Sequence, residues 1–101
     1  MITMKLWIDD VRQPPAGYVW FRSVNVAKEY IGDIERVYGV EIIDIDHDAG
    51  DYACDGGDYI RLLDWLEETG RNYPIRIHSM NPVGVANMRA IIERNGWTEV
   101  K

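Results

Sequence analysis

Three apolar runs in this chain each end in acidic or histidine residues. The pairs are Leu6 to Ile8 with Asp9-Asp10, Val40 to Ile45 with Asp46-His47-Asp48, and Ile75 to Ile77 with His78-Ser79. Apolar runs of this kind are typical of buried parallel strands. The carboxyl ends of parallel strands meet at one edge of a sheet, where open α/β folds bind their ligands. The sequence therefore predicts one polar site built from separate parts of the chain.

The order of apolar patterns predicts an α/β fold with a mainly parallel, five-stranded sheet between two layers of helices. Helical spacing of apolar residues follows three capping positions, at Ser23, Asp58 and Asn81-Pro82. Predicted strands are Met4 to Ile8, Tyr18 to Phe21, Val40 to Ile45, Ile75 to His78 and Trp97 to Val100. The alternation after the second strand favours a three-layer arrangement.

No helix is predicted between the first two strands, because Pro14-Pro15 favours an extended path there. A parallel pair normally needs a longer crossover. Two paths are therefore open: a reduced parallel crossover, or an antiparallel edge strand. In either case the first helix of a regular three-layer fold is missing or reduced.

Length and charge limit the classes of function. The 101 residues are expected to form a single domain, residues 1–101. A net charge of -6 argues against nonspecific binding to nucleic acid, which usually needs a basic face, and suits a site that collects a divalent cation. No stretch has the length of a membrane span, and a single cysteine, Cys54, excludes an internal disulfide. We expect a cytoplasmic protein without a membrane partner.

The acidic residues at the strand ends are candidate metal ligands. Asp9, Asp10, Asp46 and Asp48 would repel one another at one edge, which raises a pKa or recruits a cation. Mg²⁺ fits best, since one or two carboxylates, water and phosphate commonly hold it, and Mn²⁺ and Zn²⁺ are alternatives. The competing interpretation is that these residues only form turns and cap helices.

His47 and His78 are candidate acid/base groups, because an unperturbed imidazole titrates near neutral pH. Either could instead bind zinc, or only donate to a carbonyl or carboxylate at a crowded edge.

Ser79, Asn81 and Arg12 are candidate phosphate ligands. A strand that turns into a helix start offers free N–H groups to an anion, although Asn81 can also be a simple N-cap. Arg12 follows the acidic pair closely enough either to pair with it or to hold a phosphate.

The motifs Asp9-Asp10 with Arg12, Asp46-His47-Asp48-Ala49-Gly50 and His78-Ser79-Met80-Asn81-Pro82 resemble those of cyclic-phosphate processing receiver domains. The resemblance spans nearly the whole chain and implies a flavodoxin-like fold related to response-regulator receivers. In phosphoacceptor receivers an acidic pair binds Mg²⁺, an aspartate at the third strand end takes the phosphoryl group, and a serine or threonine contacts it. Asp9, Asp10, Asp46 and Ser79 match those positions, and only Lys101 could match the receiver lysine.

These observations lead to three hypotheses. The first is a metal-dependent phosphoesterase acting on cyclic or small nucleotide phosphates, with Asp46, His47 and His78 as its catalytic residues. The second is a phosphoacceptor signalling module with Asp46 as the acceptor. The third is a non-enzymatic domain that binds a ligand or a protein. The expected ligand is a small phosphorylated molecule.

Overall fold

A computed structural model describes residues 2–101 and shows four strands and three α-helices. A short 3₁₀-helix, Gly50–Cys54, precedes the second α-helix. The elements in chain order are β1 (Thr3–Ile8), β2 (Tyr18–Phe21), α1 (Val24–Ile34), β3 (Gly39–Ile45), α2 (Ile60–Glu68), β4 (Ile75–Ile77) and α3 (Pro82–Asn95). No helix within the described residues is long and apolar enough to cross a membrane.

The sheet is parallel throughout, with the strand order β2-β1-β3-β4. The prediction of five strands is wrong. Residues Trp97 to Val100 contribute only an isolated parallel bridge between Ile75 and Glu99. Two backbone hydrogen bonds hold this segment beside β4, from Ile75 N to Thr98 O at 3.0 Å and from Val100 N to Ile75 O at 2.8 Å. β4 itself has three residues, and only its first, Ile75, pairs with this segment.

The connection between β1 and β2 contains no helix, which confirms that the first helix is missing. The two strands pair in parallel, with Leu6 opposite Val19, so the antiparallel alternative is excluded. Residues 9–17 span the gap as a loop. The indole Nε1 of Trp7 donates to Arg12 O at 2.8 Å and ties this loop to the sheet.

All three helices lie on one face of the sheet. The connections after β2, β3 and β4 run in the same direction across the strand order, and right-handed crossovers in one direction share a face. α2 packs against both α1 and α3. One continuous core joins apolar side chains of the three helices with the alternate strand residues Leu6, Ile8, Ile43, Ile45 and Ile75.

The prediction of helices on both faces of the sheet is wrong, because a loop and not a helix covers the second face. The β1–β2 connection runs the other way across the sheet, so the 9–17 loop crosses this second face. Trp7 is buried there, outside the helix-packed core. Trp7, Asp44 and Arg76 share one row across β1, β3 and β4. The second face thus carries polar and aromatic side chains that lead towards the carboxyl edge.

Helix caps confirm two of the three predicted helix starts. Ser23 Oγ accepts from Val26 N at 3.2 Å before α1, and Asn81 Oδ1 accepts from Gly84 N at 3.0 Å before α3. Asp58 does not cap α2. Its carboxylate accepts instead from Ala49 N at 3.0 Å, which closes the loop that follows β3. Both confirmed caps place helix starts at the edge that carries the candidate site.

Candidate functional site

Three carboxylates meet at the carboxyl edge of the two central strands. Asp9 and Asp10 follow β1, and Asp46 follows β3, whose register is continued by a hydrogen bond from Asp46 N to Ile8 O at 2.9 Å. One oxygen of each of the three lies within 4.8 Å of the others. Asp9 is 0% and Asp46 8% exposed. We call Asp9, Asp10 and Asp46 the carboxylate cluster.

Burial and mutual repulsion perturb the carboxylate cluster. The pKa of Asp10 is raised by burial and by the neighbouring charges of Asp9 and Asp46. Burial also acts to raise the pKa of Asp9, but hydrogen bonds from the Arg12 and Val11 N–H groups and from His78 outweigh it and leave that pKa lowered. Asp9 is therefore held as an anion beside Asp10, whose own ionisation is disfavoured.

Hydrogen bonds fix the Asp9 side chain and leave it little free capacity. Its Oδ1 accepts from Val11 N at 3.0 Å and from Arg12 N at 2.9 Å. Its Oδ2 lies 2.8 Å from His78 Nε2 and 3.7 Å from Arg12 Nη1. Since a carboxylate has about four acceptor positions, one remains on Oδ2. Asp9 can therefore offer a cation a single ligand atom.

A glycine allows the loop after β3 to approach Asp10. Gly50 begins the 3₁₀-helix with φ +56°, in the left-handed region that favours glycine. A Cβ atom at this position would lie 2.5 Å from Asp10 Oδ2. Any side chain there would displace Asp10, so Gly50 is a structural requirement of the cluster.

His78 bridges two buried carboxylates. Its Nδ1 lies 2.6 Å from Asp44 Oδ1, and its Nε2 lies 2.8 Å from Asp9 Oδ2. Its ring is stacked on Trp7, with centroids 3.9 Å apart and planes 6° from parallel. Each ring nitrogen of His78 therefore lies within hydrogen-bond distance of one carboxylate oxygen. His78 thus orients Asp9, and neither of its nitrogens is free for a ligand.

The three predicted phosphate ligands surround the end of β4. Arg12 Nη1 donates to His78 O at 2.9 Å, while 46% of the Arg12 side chain stays exposed. Ser79 Oγ accepts from Asn81 N at 3.1 Å, which leaves the hydroxyl proton available to an anion. Asn81 is the N-cap of α3, which was the alternative to a phosphate ligand in the sequence analysis.

A second group contains His47, Asp48 and Asp58, whose candidate ligand atoms also lie within 4.8 Å of one another. His47 Nδ1 is 2.8 Å from Asp48 Oδ1, and this bond lowers the pKa of Asp48. Asp48 also accepts from Asn81 Nδ2 at 3.3 Å. The structure thus groups Asp48 apart from Asp9, Asp10 and Asp46, because β3 ends at Ile45 and strand alternation does not extend to residue 48.

A comparison with family profiles identifies the family to which this chain belongs. The profile of the cyclic-phosphate processing receiver domain matches residues 4–94, which include the carboxylate cluster and both histidines. The chain belongs to this family. No curated protein and no solved structure matches the chain significantly.

In this receiver domain, sequence reasoning missed two side chains that support the site, Asp44 and Tyr59. Asp44 is 1% exposed and accepts from Arg76 Nη1 at 3.0 Å besides its contact with His78. An acidic residue inside an apolar run was the available signal. Tyr59 is fully buried, and burial with the charges of Asp10, Asp9 and Asp46 strongly raises its pKa. Its hydroxyl donates to Arg22 O at 2.7 Å.

Proposed function

We propose that this receiver domain is a metal-dependent phosphoesterase that acts on a cyclic or small nucleotide phosphate. The observation that carries the proposal is the carboxylate cluster, in which three acidic side chains converge and two of them are buried. Ionised carboxylates held this close together repel one another, and a bound cation relieves the repulsion. Membership of a cyclic-phosphate processing family supports the substrate class.

The donor set of the cluster fits Mg²⁺ or Mn²⁺, because all three residues offer oxygen ligands and Asp9 offers only one. A bound cation would neutralise phosphate charge and lower the pKa of a bound water. Zn²⁺ fits the cluster less well, since His78 has no free nitrogen to give. Arg12, Ser79 and the start of α3 would hold the phosphate oxygens.

We assign proton transfer to His47 in preference to His78. Asp48 holds His47 through Nδ1, and within residues 2–101 the Nε2 atom has no hydrogen-bond partner. A histidine oriented through one nitrogen and free at the other is the usual arrangement of a general acid or base. His78 would act by orienting Asp9. The roles predicted from sequence are therefore divided between the two histidines.

The test is a hydrolysis assay on adenosine 2′,3′-cyclic phosphate with Mg²⁺ or Mn²⁺. Asp46→Asn should abolish the metal-dependent part of turnover. Asp33→Asn is the matched control, since Asp33 is exposed near the end of α1 and belongs to neither acidic group. Metal-dependent binding without turnover in the unmodified protein would replace the enzyme with a binding domain. Equal loss of turnover in both variants would contradict the assignment of the site.

A second candidate function is that of a phosphoacceptor with Asp46 as the acceptor. Asp46 lies beside the acidic pair at the end of β3, and Ser79 follows β4, as in phosphoacceptor receivers. Beryllofluoride should then bind only with Mg²⁺, and Asp46→Asn should lose this binding while Asp48→Asn keeps it. Lys101 is the candidate for the receiver lysine; it is exposed and follows the Glu99 bridge. No binding of beryllofluoride would exclude this function.

A further inference from the structure

Among residues 2–101, an exposed arginine beside the carboxylate cluster has no acidic partner. Within the described residues, six arginines lie within 4.0 Å of a carboxylate oxygen, and Arg22 is not among them. This is notable in a chain with net charge -6. Arg22 directly follows β2 and is solvent-exposed. Its charge is therefore available to something other than a side chain of this domain.

Two aromatic rings hold the Arg22 side chain. Its guanidinium carbon lies 4.1 Å from the ring centroid of Trp20 and 5.8 Å from that of Tyr52. Its Nη1 donates to the Tyr52 hydroxyl at 3.1 Å. Guanidinium groups and aromatic rings both stack on planar groups, and Arg22 is exposed to solvent beside these two rings. We call Trp20, Arg22 and Tyr52 the aromatic wall.

A second arginine that stacks on an indole, Arg71, shows how Arg22 differs from an arginine with a purely structural role. Arg71 also lies over an indole, with its guanidinium carbon 4.3 Å from the Trp65 centroid. Arg71, however, donates to both carboxylate oxygens of Glu35, so its charge is neutralised within the fold. Arg22 has the same stacking but forms no ion pair with any residue that the structure describes. Contacts within the fold account for the charge of Arg71, whereas they leave the charge of the exposed Arg22 unexplained.

Three contacts connect the aromatic wall to the carboxylate cluster. Trp20 Nε1 donates to Asp9 O at 2.8 Å. The Tyr59 hydroxyl, which lies in the field of the cluster, donates to Arg22 O at 2.7 Å. The 3₁₀-helix that carries Tyr52 begins at Gly50, against Asp10. A molecule bound at the cluster therefore has the aromatic wall as its neighbour on the β2 side.

We propose that the aromatic wall binds the planar base of a nucleotide whose phosphate is held beside the cluster, by the cation that the cluster binds and by Arg12 and Ser79. The proposal rests on the proposed function and adds the recognition of the rest of the substrate. Bases in single-stranded nucleic acids stack on aromatic rings and on arginine planes. Every base has such a face, so this wall selects nucleotides over simple sugar phosphates and accepts different bases.

The experiment compares two ligands in the presence of Mn²⁺: adenosine 2′,3′-cyclic phosphate and the corresponding ribose cyclic phosphate without a base. The unmodified protein should bind the adenosine compound about tenfold more tightly or better, and Arg22→Ala should remove most of this difference. Arg36→Ala is the matched control, because Arg36 is also exposed, also lacks a carboxylate within 4.0 Å, and lies near the start of β3, at the other edge of the sheet. Equal weakening of both ligands in Arg22→Ala would make Arg22 a phosphate ligand and overturn the proposal.

A second arm separates failure of this inference from failure of the proposed function. Titration with Mn²⁺ alone reports on the carboxylate cluster. Titration with adenosine monophosphate without metal, followed at the Trp20 indole N–H resonance, reports on the wall. A shift of that resonance that is lost in Arg22→Ala supports stacking even if no metal binds. An unmoved Trp20 resonance together with no preference for the adenosine compound would refute the inference and leave the metal site standing.

Discussion

Replacement of His78 by glutamine should destabilise the fold far more than the same replacement of the other histidine. Asp9 and Asp44 are 0% and 1% exposed, and each faces one nitrogen of the His78 ring. His78→Gln would remove the ring that lies between the two buried carboxylates, leaving Asp44 with Arg76 and Asp9 with the N–H groups of Val11 and Arg12. Breaking a buried pair by removing one partner costs about 3–5 kcal/mol. In a domain of this size such a loss lowers the melting temperature by roughly 12 °C or more.

His47→Gln is the matched control. The His47 side chain is 14% exposed, and its partner Asp48 is 60% exposed, so water screens this pair. We expect its loss to cost about 1 kcal/mol or less. The assay is urea unfolding at pH 7 without divalent metal, compared across the two variants and the unmodified protein.

A double variant tests the physical reason for the difference. In His78→Gln, the further change Asp44→Asn removes the charge of one of the two buried carboxylates that have lost their contact with residue 78. The double variant should therefore be more stable than His78→Gln alone. The reasoning would be refuted if the two single histidine variants lost similar free energies of unfolding, or if Asp44→Asn destabilised His78→Gln further.

Two further changes test the packing and the charge of the site. Gly84→Ala would place a Cβ into the His47 ring and should lower the free energy of unfolding by about 1–3 kcal/mol. The control Gly32→Ala in α1 meets open space and should raise it by about 0.5–1 kcal/mol. Equal effects of the two changes in urea unfolding would contradict this prediction. Because the pKa of Asp10 is raised in the folded state, ionised Asp10 destabilises the metal-free protein at neutral pH. Asp10→Asn should therefore raise the free energy of unfolding at pH 7, and the gain should disappear as the pH falls below the usual pKa of an aspartate. The same variant should weaken Mn²⁺ binding, and a gain that persists at low pH would exclude charge as its cause.

The edge of the sheet that carries the site was predictable from sequence, because it follows from where apolar runs stop. The ends of β1 and β3 bring Asp9, Asp10 and Asp46 together for this reason. The contacts of His78 were not predictable. Its carboxylate partners lie 34 and 69 residues away in the chain, and the register of three strands decides which of them it meets.

The predicted fold has two errors, the fifth strand and the second layer of helices. Both were predicted from local sequence patterns, which do not show what each segment pairs with in the sheet. Residues Trp97 to Val100 have the composition of a strand, but β4 offers them only one bridge. The predicted second helical layer needs a helix between β1 and β2, and the 9–17 loop takes its place. A local pattern can indicate a strand, whereas the number of hydrogen-bonding neighbours is a property of the folded sheet.

Titration with Mn²⁺, followed by paramagnetic broadening of the aspartate side-chain carboxyl ¹³C signals, tests the central claim most directly. The cluster and the second acidic group are both candidates for a cation, so the order of broadening distinguishes them. The proposed function predicts that Asp9, Asp10 and Asp46 broaden first and that Asp58 follows only at higher concentration. Broadening that begins at Asp58, or none at any of these residues, would contradict it.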